Sequence, residues 1–520
     1  MTRAPRPASR LVASPGLAGA LAVLAWLAFS IGLRALNLPE EGRYVGIAWE
    51  MLRSGDWIVP TEDGLPFFHK PPLFYWLTAA SMRVFGVDVA AARLAPLLGA
   101  AVGAIVLYRV ARRWCGEDAA RWTVLILVTL PFFFGGAQFA NLDMLVAGFM
   151  AMAVLLAGHA VLLARNGRPH RAALVGAWAG AALGLLAKGL IGIVLPGGVI
   201  VVWLLATRQA RSLPLLLSPV GPAVFLLIAA PWFLAVQAQH PGFFHYFFVY
   251  QHFERFAASG FNNVQPWWFF FAAVPALTLP WSLWLLRSTF VSRAGEAAEA
   301  TLWRQLMWIW LILVLVFFSI PQSKPVGYSM AALFPIAALV GDAVIARLRG
   351  GGAWTRRAAW ASAASAVAIC LVAIGWSSAT YDRDNTAIAR TLARLRAPGD
   401  RVVFVKEYFF DIPLHARIAE PVPVIDNWRD PAIATRDNWR RELAEAAPFA
   451  PTLAQALLVD AEHGFALRCS APLWVLAKLG DDAPVAALPG AVRVEASNRV
   501  ALWRVPAAAC AAPATKEATP

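Results

Sequence analysis

The chain has 520 residues, of which 59% are hydrophobic and only 15% are charged, and its mean hydropathy is +0.59. These values exclude an ordinary soluble globular protein and predict a polytopic membrane protein. The net charge of +14 does not indicate a nucleic-acid partner, because the basic residues lie in short segments between apolar runs, the arrangement that orients membrane proteins.

Apolar runs recur from the N-terminus to about residue 378, and a membrane helix needs about 17 to 25 such residues. The first run follows Arg3, Arg6 and Arg10. It is too long for the apolar part of a signal peptide and is followed by many more runs, so we interpret it as a membrane helix. We predict about eleven spans, at 14–36, 89–109, 121–137, 142–164, 171–187, 189–207, 213–236, 267–287, 304–320, 327–346 and 357–378.

Lysine and arginine are concentrated in alternate connections, for example at Arg112 and Arg113, at Arg165, and at Arg347 and Arg349. The positive-inside rule predicts that these connections and the N-terminus face the cytoplasm. The other connections, above all the long ones at 37–88 and 237–266, would then face outward. An odd number of spans sends the C-terminal residues to the same outer side.

The C-terminal part is richer in Asp, Glu and Arg, and we predict a transmembrane domain at 1–378 followed by a small soluble α/β domain at 379–508. Residues 509–520 have the composition of a disordered tail. A disulfide between Cys469 and Cys510 is an open alternative if this part lies in an oxidising compartment. Its predicted elements are a helix at 384–396, a strand at 401–405 and a hairpin of 492–494 with 500–503.

Two glutamates, Glu40 and Glu41, directly follow the first predicted span. A carboxylate at this depth can act as a general base or bind a metal, because partial desolvation and a nearby cation tune its pKa. The alternative is a solvated pair at a helix end. The same loop continues to His69 and Lys70, which favours a functional loop over a plain connection.

Lys70 precedes two prolines, which restrict the preceding residue to extended conformations and stiffen the segment. A fixed ammonium group suits phosphate oxygens. The alternative is a lysine that reaches toward lipid headgroups at the membrane surface.

Asp143 lies at the outer end of the fourth predicted span, after Asn141 and Leu142. An acid in such an apolar context is costly and is a functional candidate. It can also serve as the start signal of a helix, because Asn or Asp before an apolar run is a good N-cap.

Three more cations lie at the outer side by this topology: Lys188, Arg255 and Lys324. The positive-inside pattern disfavours cations there, so an anionic ligand such as a phosphate explains them. Arg255 belongs to the aromatic stretch 240–263, which is typical of an amphipathic helix in the membrane interface or of an anchoring aromatic belt. His252 lies three residues before Arg255, on the same helix face.

No motif specifies a cofactor. A divalent metal ion is an open alternative, with His69 and His252 joining Glu40 or Glu41 as ligands, although no characteristic ligand spacing supports it.

In this order, the segments resemble the lipid-linked-sugar glycosyltransferases of the aminoarabinose transferase and protein O-mannosyltransferase superfamily, and most closely the bacterial members that modify lipid A. The resemblance covers roughly residues 20–345 and is specific as an ordered set. It rests on Pro39 to Tyr44, Ser54 to Pro60, Phe68 to Pro71, Leu142-Asp143, Ala187-Lys188-Gly189, His245 to Phe256, Pro280-Trp281, and Phe317 to Tyr328.

The resemblance implies the membrane architecture of C-type glycosyltransferases, in the bacterial inner membrane, with the C-terminal domain in the periplasm. It implies transfer of a sugar from a polyprenyl-phosphate donor to lipid A or another cell-envelope acceptor. Membrane lipids are further expected partners. The implied acids are Glu40, followed by Glu41, and Asp143. The implied phosphate-binding residues are Lys70, Arg255, Lys324, Lys188 and Tyr328.

The chain departs from the family pattern at four places, which bear on the sugar, the acceptor and any metal. Glu40 replaces the usual aspartate, His69 replaces an acid that often precedes the loop lysine, and Gln251 replaces another acid. The usual Lys-Leu-Pro-Thr-Tyr reads Lys324-Pro325-Val326-Gly327-Tyr328.

We therefore expect an enzyme that moves 4-amino-4-deoxy-arabinose or a related amino sugar from undecaprenyl phosphate to lipid A. The same chemistry on a protein or polysaccharide acceptor is one alternative. A lipid-linked-sugar flippase is another, but it predicts charges midway along spans and repeat symmetry, neither of which the sequence displays. A non-catalytic assembly factor, which would tolerate replacement of the acids, is the third.

Overall fold

The structure is a computed structural model that describes residues 15–254, 263–288, 295–350, 352–461, 464–469 and 471–508. A large helical part is followed by a smaller part built on a mixed sheet. The predicted fold class, a helical polytopic membrane protein with a small C-terminal α/β part, is confirmed. The predicted disulfide between Cys469 and Cys510 and the tail at 509–520 fall on side chains and residues outside the described ones.

Every predicted span coincides with a helix or a bent helix pair. The long helices are Leu94–Cys115, Leu142–Arg165, Arg171–Lys188, Val220–Gln239, Ala298–Ser319, Leu333–Gly350 and Ala353–Thr380. The shorter ones include Pro15–Ala28, Glu40–Ser54, Leu73–Phe85 and Ile191–Ala206. The bent pairs are Glu117–Thr129 with Pro131–Ala137, and Phe269–Leu277 with the 3₁₀ helix Trp281–Arg287.

Length and composition alone identify fewer membrane-crossing helices than the predicted number of about eleven. Among the described residues, six helices are long and apolar enough to cross a membrane, or eight if each bent pair is one span. The other three predicted spans fall on Pro15–Ala28 and Ile191–Ala206, which are short, and on Arg171–Lys188, which carries a charge at each end.

The first bent pair turns by 68° at Leu130. Pro131 follows directly and restricts Leu130 to the extended region, where its ψ is 120°, so one helix cannot continue through this point. Helices Leu94–Cys115 and Leu142–Arg165 cross with their backbones in contact at Gly99 and Gly148, where any Cβ would overlap the other helix. Small residues at such crossings let membrane helices approach closely.

The C-terminal sheet has six strands in the order β5-β4-β3-β6-β8-β7. A separate short hairpin in the first loop pairs β1 with β2. Strands β3 to β6 are parallel neighbours, and β8 runs antiparallel between β6 and β7. The predicted strand 401–405, the predicted hairpin and the predicted helix near 384–396 are confirmed. The strands are β1 Thr61–Glu62, β2 Leu65–Pro66, β3 Arg401–Val405, β4 Val424–Asp426, β5 Leu458–Asp460, β6 Leu473–Lys478, β7 Val492–Ala496 and β8 Val500–Val505.

The sheet part docks on the first long loop of the helical part. The Val422 amide donates to Asp63 Oδ1 at 2.7 Å, and the side chain of Pro421 packs directly against Gly64. Leu65 of β2 is fully buried in the core on one face of the sheet. These contacts bring the helix Trp439–Ala446 next to the start of the helix Glu40–Ser54, where Glu442 pairs with Arg43.

Candidate active site

A cavity of about 1740 Å³ lies between one end of the helical part and the C-terminal part. It is larger than the roughly 300 to 1,000 Å³ of ordinary small-molecule sites. Six of the ten residues selected from the sequence line it: Glu40, His69, Lys70, Asp143, Lys188 and Tyr328. Side chains more than 280 positions apart in the chain therefore meet at one place.

The two adjacent glutamates have opposite environments. Glu40 lines the cavity, its side chain is 49% exposed, and its carboxylate lies 3.0 Å from Arg43 Nη2. Glu41 points away from the cavity and is fully buried. Both lie in the first turn of Glu40–Ser54, where the helix dipole favours negative charge.

The carboxylate of Glu41 is enclosed by donors. Arg93 approaches both oxygens at 2.9 Å, and Arg34 Nη2 lies 3.1 Å from Oε1. The amides of Asn37 and Ala140 donate at 2.8 and 2.7 Å. Burial alone would raise the pKa of Glu41, but the hydrogen bonds and charges of Arg93 and Arg34 outweigh it and lower the pKa. A direct catalytic role for Glu41 does not fit this geometry, because a saturated, enclosed carboxylate cannot reach a substrate.

Asp143 stands in the first turn of Leu142–Arg165. Asn141 caps this helix, because its side chain accepts from the Asp143 amide at 3.0 Å and its Nδ2 donates to Asp143 Oδ2 at 3.1 Å. Both readings of the sequence, a helix-start signal and a site acid, are therefore compatible with the structure. A Cβ at Gly327 would overlap the Asp143 carboxylate, which explains physically why glycine occupies this point of the chain.

Lys188 ends the helix Arg171–Lys188 and forms an ion pair with Asp143. Its ammonium also lies 4.3 Å from the ring centroid of Tyr328, within the range of a cation–π interaction. Asp143, Lys188 and Tyr328 thus form one unit of the cavity wall. Lys188 is the partner of an acid here, which differs from its expected role as a phosphate ligand.

His69 is buried and Lys70 is half-buried. His69 Nδ1 lies 3.3 Å from Gln251 Nε2, and His69 Nε2 lies 3.1 Å from the Tyr246 hydroxyl. Because the Tyr246 hydroxyl also donates to Glu445, Nε2 of His69 donates to Tyr246 and Nδ1 accepts from Gln251.

Lys324 departs from the prediction of a phosphate-binding role. Its side chain is buried, and its ammonium donates to the carbonyl oxygens of Pro321 and Gln322. Its neighbours Ser323 and Pro325 line the cavity, but Lys324 does not. Lys324 closes its own turn, because a buried ammonium must find acceptors.

Two predicted residues cannot be placed. Arg255 lies outside the described residues, and of His252 only the backbone, at the end of the π-helical segment His245–Glu254, is described.

The metal site that the sequence left open as an alternative does not fit the positions of His69 and Glu41. Both ring nitrogens of His69 have hydrogen-bond partners, and Glu41 is enclosed by arginines. Within the described part of the chain, one group of acid and histidine side chains has ligand atoms within 4.8 Å of one another: Asp384, Asp411 and His415. It belongs to the C-terminal part and does not line the cavity.

Sequence reasoning missed several residues that shape the site. Arg34 and Arg93 hold Glu41, Glu442 pairs with Arg43 at the cavity wall, and Glu445 contacts His69. An arginine at the outer start of a predicted span, as Arg93 is, was a usable signal, because the positive-inside pattern disfavours it there. Glu442 and Glu445 gave no such signal among the many charges of the C-terminal part.

The family model for dolichyl-phosphate-mannose-protein mannosyltransferase matches residues 69–234. The chain is 32% identical over 318 residues to undecaprenyl phosphate-alpha-4-amino-4-deoxy-L-arabinose arabinosyl transferase 2 of Pseudomonas fluorescens. This match covers 60% of the chain and 53% of the relative, so the chain spans about half the length of that relative.

Among solved structures, ArnT from Cupriavidus metallidurans bound to undecaprenyl phosphate is similar, with a TM-score of 0.78 and 25% identity, over 96% of this chain and 100% of that one. The archaeal oligosaccharyltransferase AglB from Archaeoglobus fulgidus shares the fold, with a TM-score of 0.53 and 14% identity over 89% of this chain and 69% of that one. The family match, the sequence identity and the structural similarity all relate the chain to the superfamily of the aminoarabinose transferases and protein O-mannosyltransferases.

Proposed function

We propose that the protein is a membrane glycosyltransferase that moves 4-amino-4-deoxy-arabinose, or a related amino sugar, from undecaprenyl phosphate to lipid A. The observation that carries this proposal is the cavity wall, where Glu40, Lys70 and the pair Asp143–Lys188 come together from separate segments of the chain. The sugar is the one named for the Pseudomonas relative, and the lipid is the one bound in the Cupriavidus structure.

The donor phosphate binds at Lys70. In the reaction, an acceptor oxygen forms a bond to the sugar's anomeric carbon while the bond from that carbon to the donor phosphate oxygen breaks, and the electron pair leaves with the phosphate. A half-buried ammonium stabilises this charge better than a fully solvated one, because the site is partly shielded from water. Arg255 is the second candidate cation for the same phosphate.

Apolar side chains line much of the cavity, among them Phe132, Phe139, Met150 and Phe317. This lining suits the isoprenoid chain of the donor, since burial of apolar surface is favourable and needs no specific geometry. A cavity of about 1740 Å³ has space for a lipid-linked sugar together with part of an acceptor.

Glu40 and Asp143 are the acids that face the substrates. An acceptor hydroxyl would need a carboxylate to orient it or take its proton, whereas an acceptor phosphate of lipid A is already nucleophilic and needs mainly positioning. Glu40 is the more accessible of the two. Asp143 is held by Lys188 and Asn141, so it acts from a fixed position. Glu41 anchors the loop and is a positioning residue.

The protein is a multi-pass membrane protein, and its orientation is part of the proposal. The helix Leu142–Arg165 begins at the cavity and ends at a basic connection, and its 24 residues extend about 36 Å, enough to cross a bilayer core of about 30 Å. The positive-inside rule then puts the cavity and the C-terminal part in the periplasm of the inner membrane. Division into domains at 1–378 and 379–508 is consistent with the position of the sheet.

The orientation is testable by labelling intact cells with a membrane-impermeant maleimide. Asn498→Cys, on an exposed turn of the C-terminal sheet, should label above the wild-type background. Arg168→Cys, in a basic connection, should label only after lysis. The reverse pattern would refute the orientation.

The proposed function is tested by mass spectrometry of lipid A from cells with and without the protein. An added amino-pentose, lost with the Asp143→Asn variant, supports the proposal. Unchanged lipid A with a new sugar on a protein or polysaccharide would favour those acceptors instead. Lipid-linked sugar that crosses the membrane with no transfer would favour a transporter, although Asp143 and Lys188 lie at helix ends and not midway along spans.

A further inference from the structure

The helix Trp439–Ala446 of the C-terminal part presents two carboxylates to the helical part. Glu442 and Glu445 are three residues apart and therefore share a face. Glu442 pairs with Arg43 and lines the cavity. Asn438 fixes the start of the helix, because its side chain accepts from the amides of Arg440 and Arg441.

Glu445 is the hub of a hydrogen-bond network between the two parts of the protein. Its Oε1 accepts from the Tyr250 hydroxyl at 2.7 Å, and its Oε2 accepts from the Tyr246 hydroxyl at 2.9 Å and from Gln251 Nε2 at 3.3 Å. Arg441 Nε, one helical turn earlier, donates to Oε1 at 2.6 Å. The Glu445 side chain is only 14% exposed, and hydrogen bonds to a charged acceptor are the stronger kind.

The network continues to His69 in the first loop. His69 Nε2 lies 3.7 Å from Glu445 Oε2, and the Tyr246 hydroxyl and Gln251 Nε2 contact the two ring nitrogens. His69 directly precedes Lys70, and Pro71 and Pro72 follow. Because prolines stiffen this segment, a displacement of His69 also displaces Lys70.

We infer that Glu445 is a positioning residue, a carboxylate of the C-terminal part that holds His69 and the segment Tyr246–Gln251 so that Lys70 stays in place to bind phosphate. This inference rests on the proposed function in one respect, namely that Lys70 binds the phosphate of the donor lipid. The C-terminal part thus helps to form the donor site through Glu445, although Glu445 does not contact the substrate.

The test measures binding of undecaprenyl phosphate to the full-length protein in lipid nanodiscs. Glu445→Ala should weaken binding by about tenfold or more, because displacement of a binding group by about 1 Å is costly. Glu445→Gln keeps one carbonyl acceptor for a tyrosine and should lie between Ala and wild type. Glu420→Ala removes a glutamate that is 49% exposed and pairs with Arg396 at the surface, so it should bind like wild type.

A second readout separates positioning from general loss of structure. In Glu445→Ala, amide hydrogen exchange should rise in residues 67–72 and 243–251 and stay unchanged in the sheet of the C-terminal part. Tyr246→Phe removes a donor to the same carboxylate, so its effect on the affinity should be non-additive with that of Glu445→Ala. If Glu445→Ala does not fold, binding of undecaprenyl phosphate and amide hydrogen exchange are measured on Glu445→Gln and Tyr246→Phe instead, and these two variants test the inference.

The outcomes distinguish this inference from the proposed function. Wild-type protein that binds undecaprenyl phosphate but transfers no amino sugar would refute the proposed function and leave the binding series to decide the role of Glu445. Equal affinity of wild type, Glu445→Gln and Tyr246→Phe would overturn the inference. So would wild-type protein that does not bind the lipid phosphate.

Discussion

Lys188 forms an ion pair with Asp143 where the end of one membrane helix meets the start of another. The pair lies in the cavity wall, and its side chains are 15% and 11% exposed. Charges held at this depth need each other, because an unpaired charge there would cost several kcal/mol. The ion pair thereby holds the Asp143 carboxylate in one place.

The first prediction concerns this pair. Lys188→Met should leave Asp143 without its cation and displaced, so the rate of sugar transfer should fall by about a hundredfold. Radiolabelled sugar incorporated into lipid A measures the rate. The matched control is Lys406→Met, which removes an exposed lysine that pairs with the surface residue Asp481. Full activity of Lys188→Met would show that the pair is dispensable.

The adjacent glutamates should respond differently to the same substitution. Glu41→Gln breaks a buried ion-pair network and should lower the free energy of unfolding by about 3 to 5 kcal/mol, seen as a lower melting temperature and poor yield. Glu40→Gln should keep the wild-type melting temperature and lose sugar transfer. A stable, active Glu41→Gln would contradict the anchoring role.

Lys70→Ala should act mainly on the donor. Loss of a charge-assisted hydrogen bond worth about 1.5 to 3 kcal/mol should raise the apparent donor KM by about 10 to 100-fold, with a smaller change in the KM for lipid A. Initial rates at varied donor concentration give both constants. Lys478→Ala, at a lysine of β6 that is 43% exposed and pairs with Glu407, should leave them unchanged. An unaltered donor KM in Lys70→Ala would remove Lys70 from the phosphate site.

The pH dependence of stability should include a contribution from Asp411. Burial raises the pKa of this carboxyl to about 6, against about 3.9 in an unfolded chain. The folded state therefore holds the proton more tightly, so the stabilisation is complete below about pH 4 and is lost as the pH rises to about 6. The loss amounts to at most about 3 kcal/mol.

Asp411→Asn removes this titration and can still accept a hydrogen bond from Asn385. Its melting temperature relative to wild type should therefore rise between pH 4 and pH 6 and then level off. Asp382→Asn, at an exposed position nearby, should show a constant difference. A pH-independent difference for Asp411→Asn would contradict the raised pKa.

The sequence predicted the fold class and six of the residues that line the cavity, because apolar runs and the charges at their ends are local signals. It could not separate Glu40 from Glu41, since the face that each presents depends on Arg93, 52 positions further along the chain. The sequence could not show that the Lys324 ammonium donates to the carbonyl oxygens of its own turn and therefore does not face the cavity. Glu445 became visible only when the C-terminal helix was seen against Tyr246 and Tyr250.

The most direct test of the central claim is an experimental structure of the protein with undecaprenyl phosphate. The account predicts lipid phosphate inside the cavity, with an oxygen within about 3.2 Å of Lys70 Nζ, and the isoprenoid chain along the apolar lining. Phosphate bound elsewhere on the protein, with the cavity left to solvent, would contradict it.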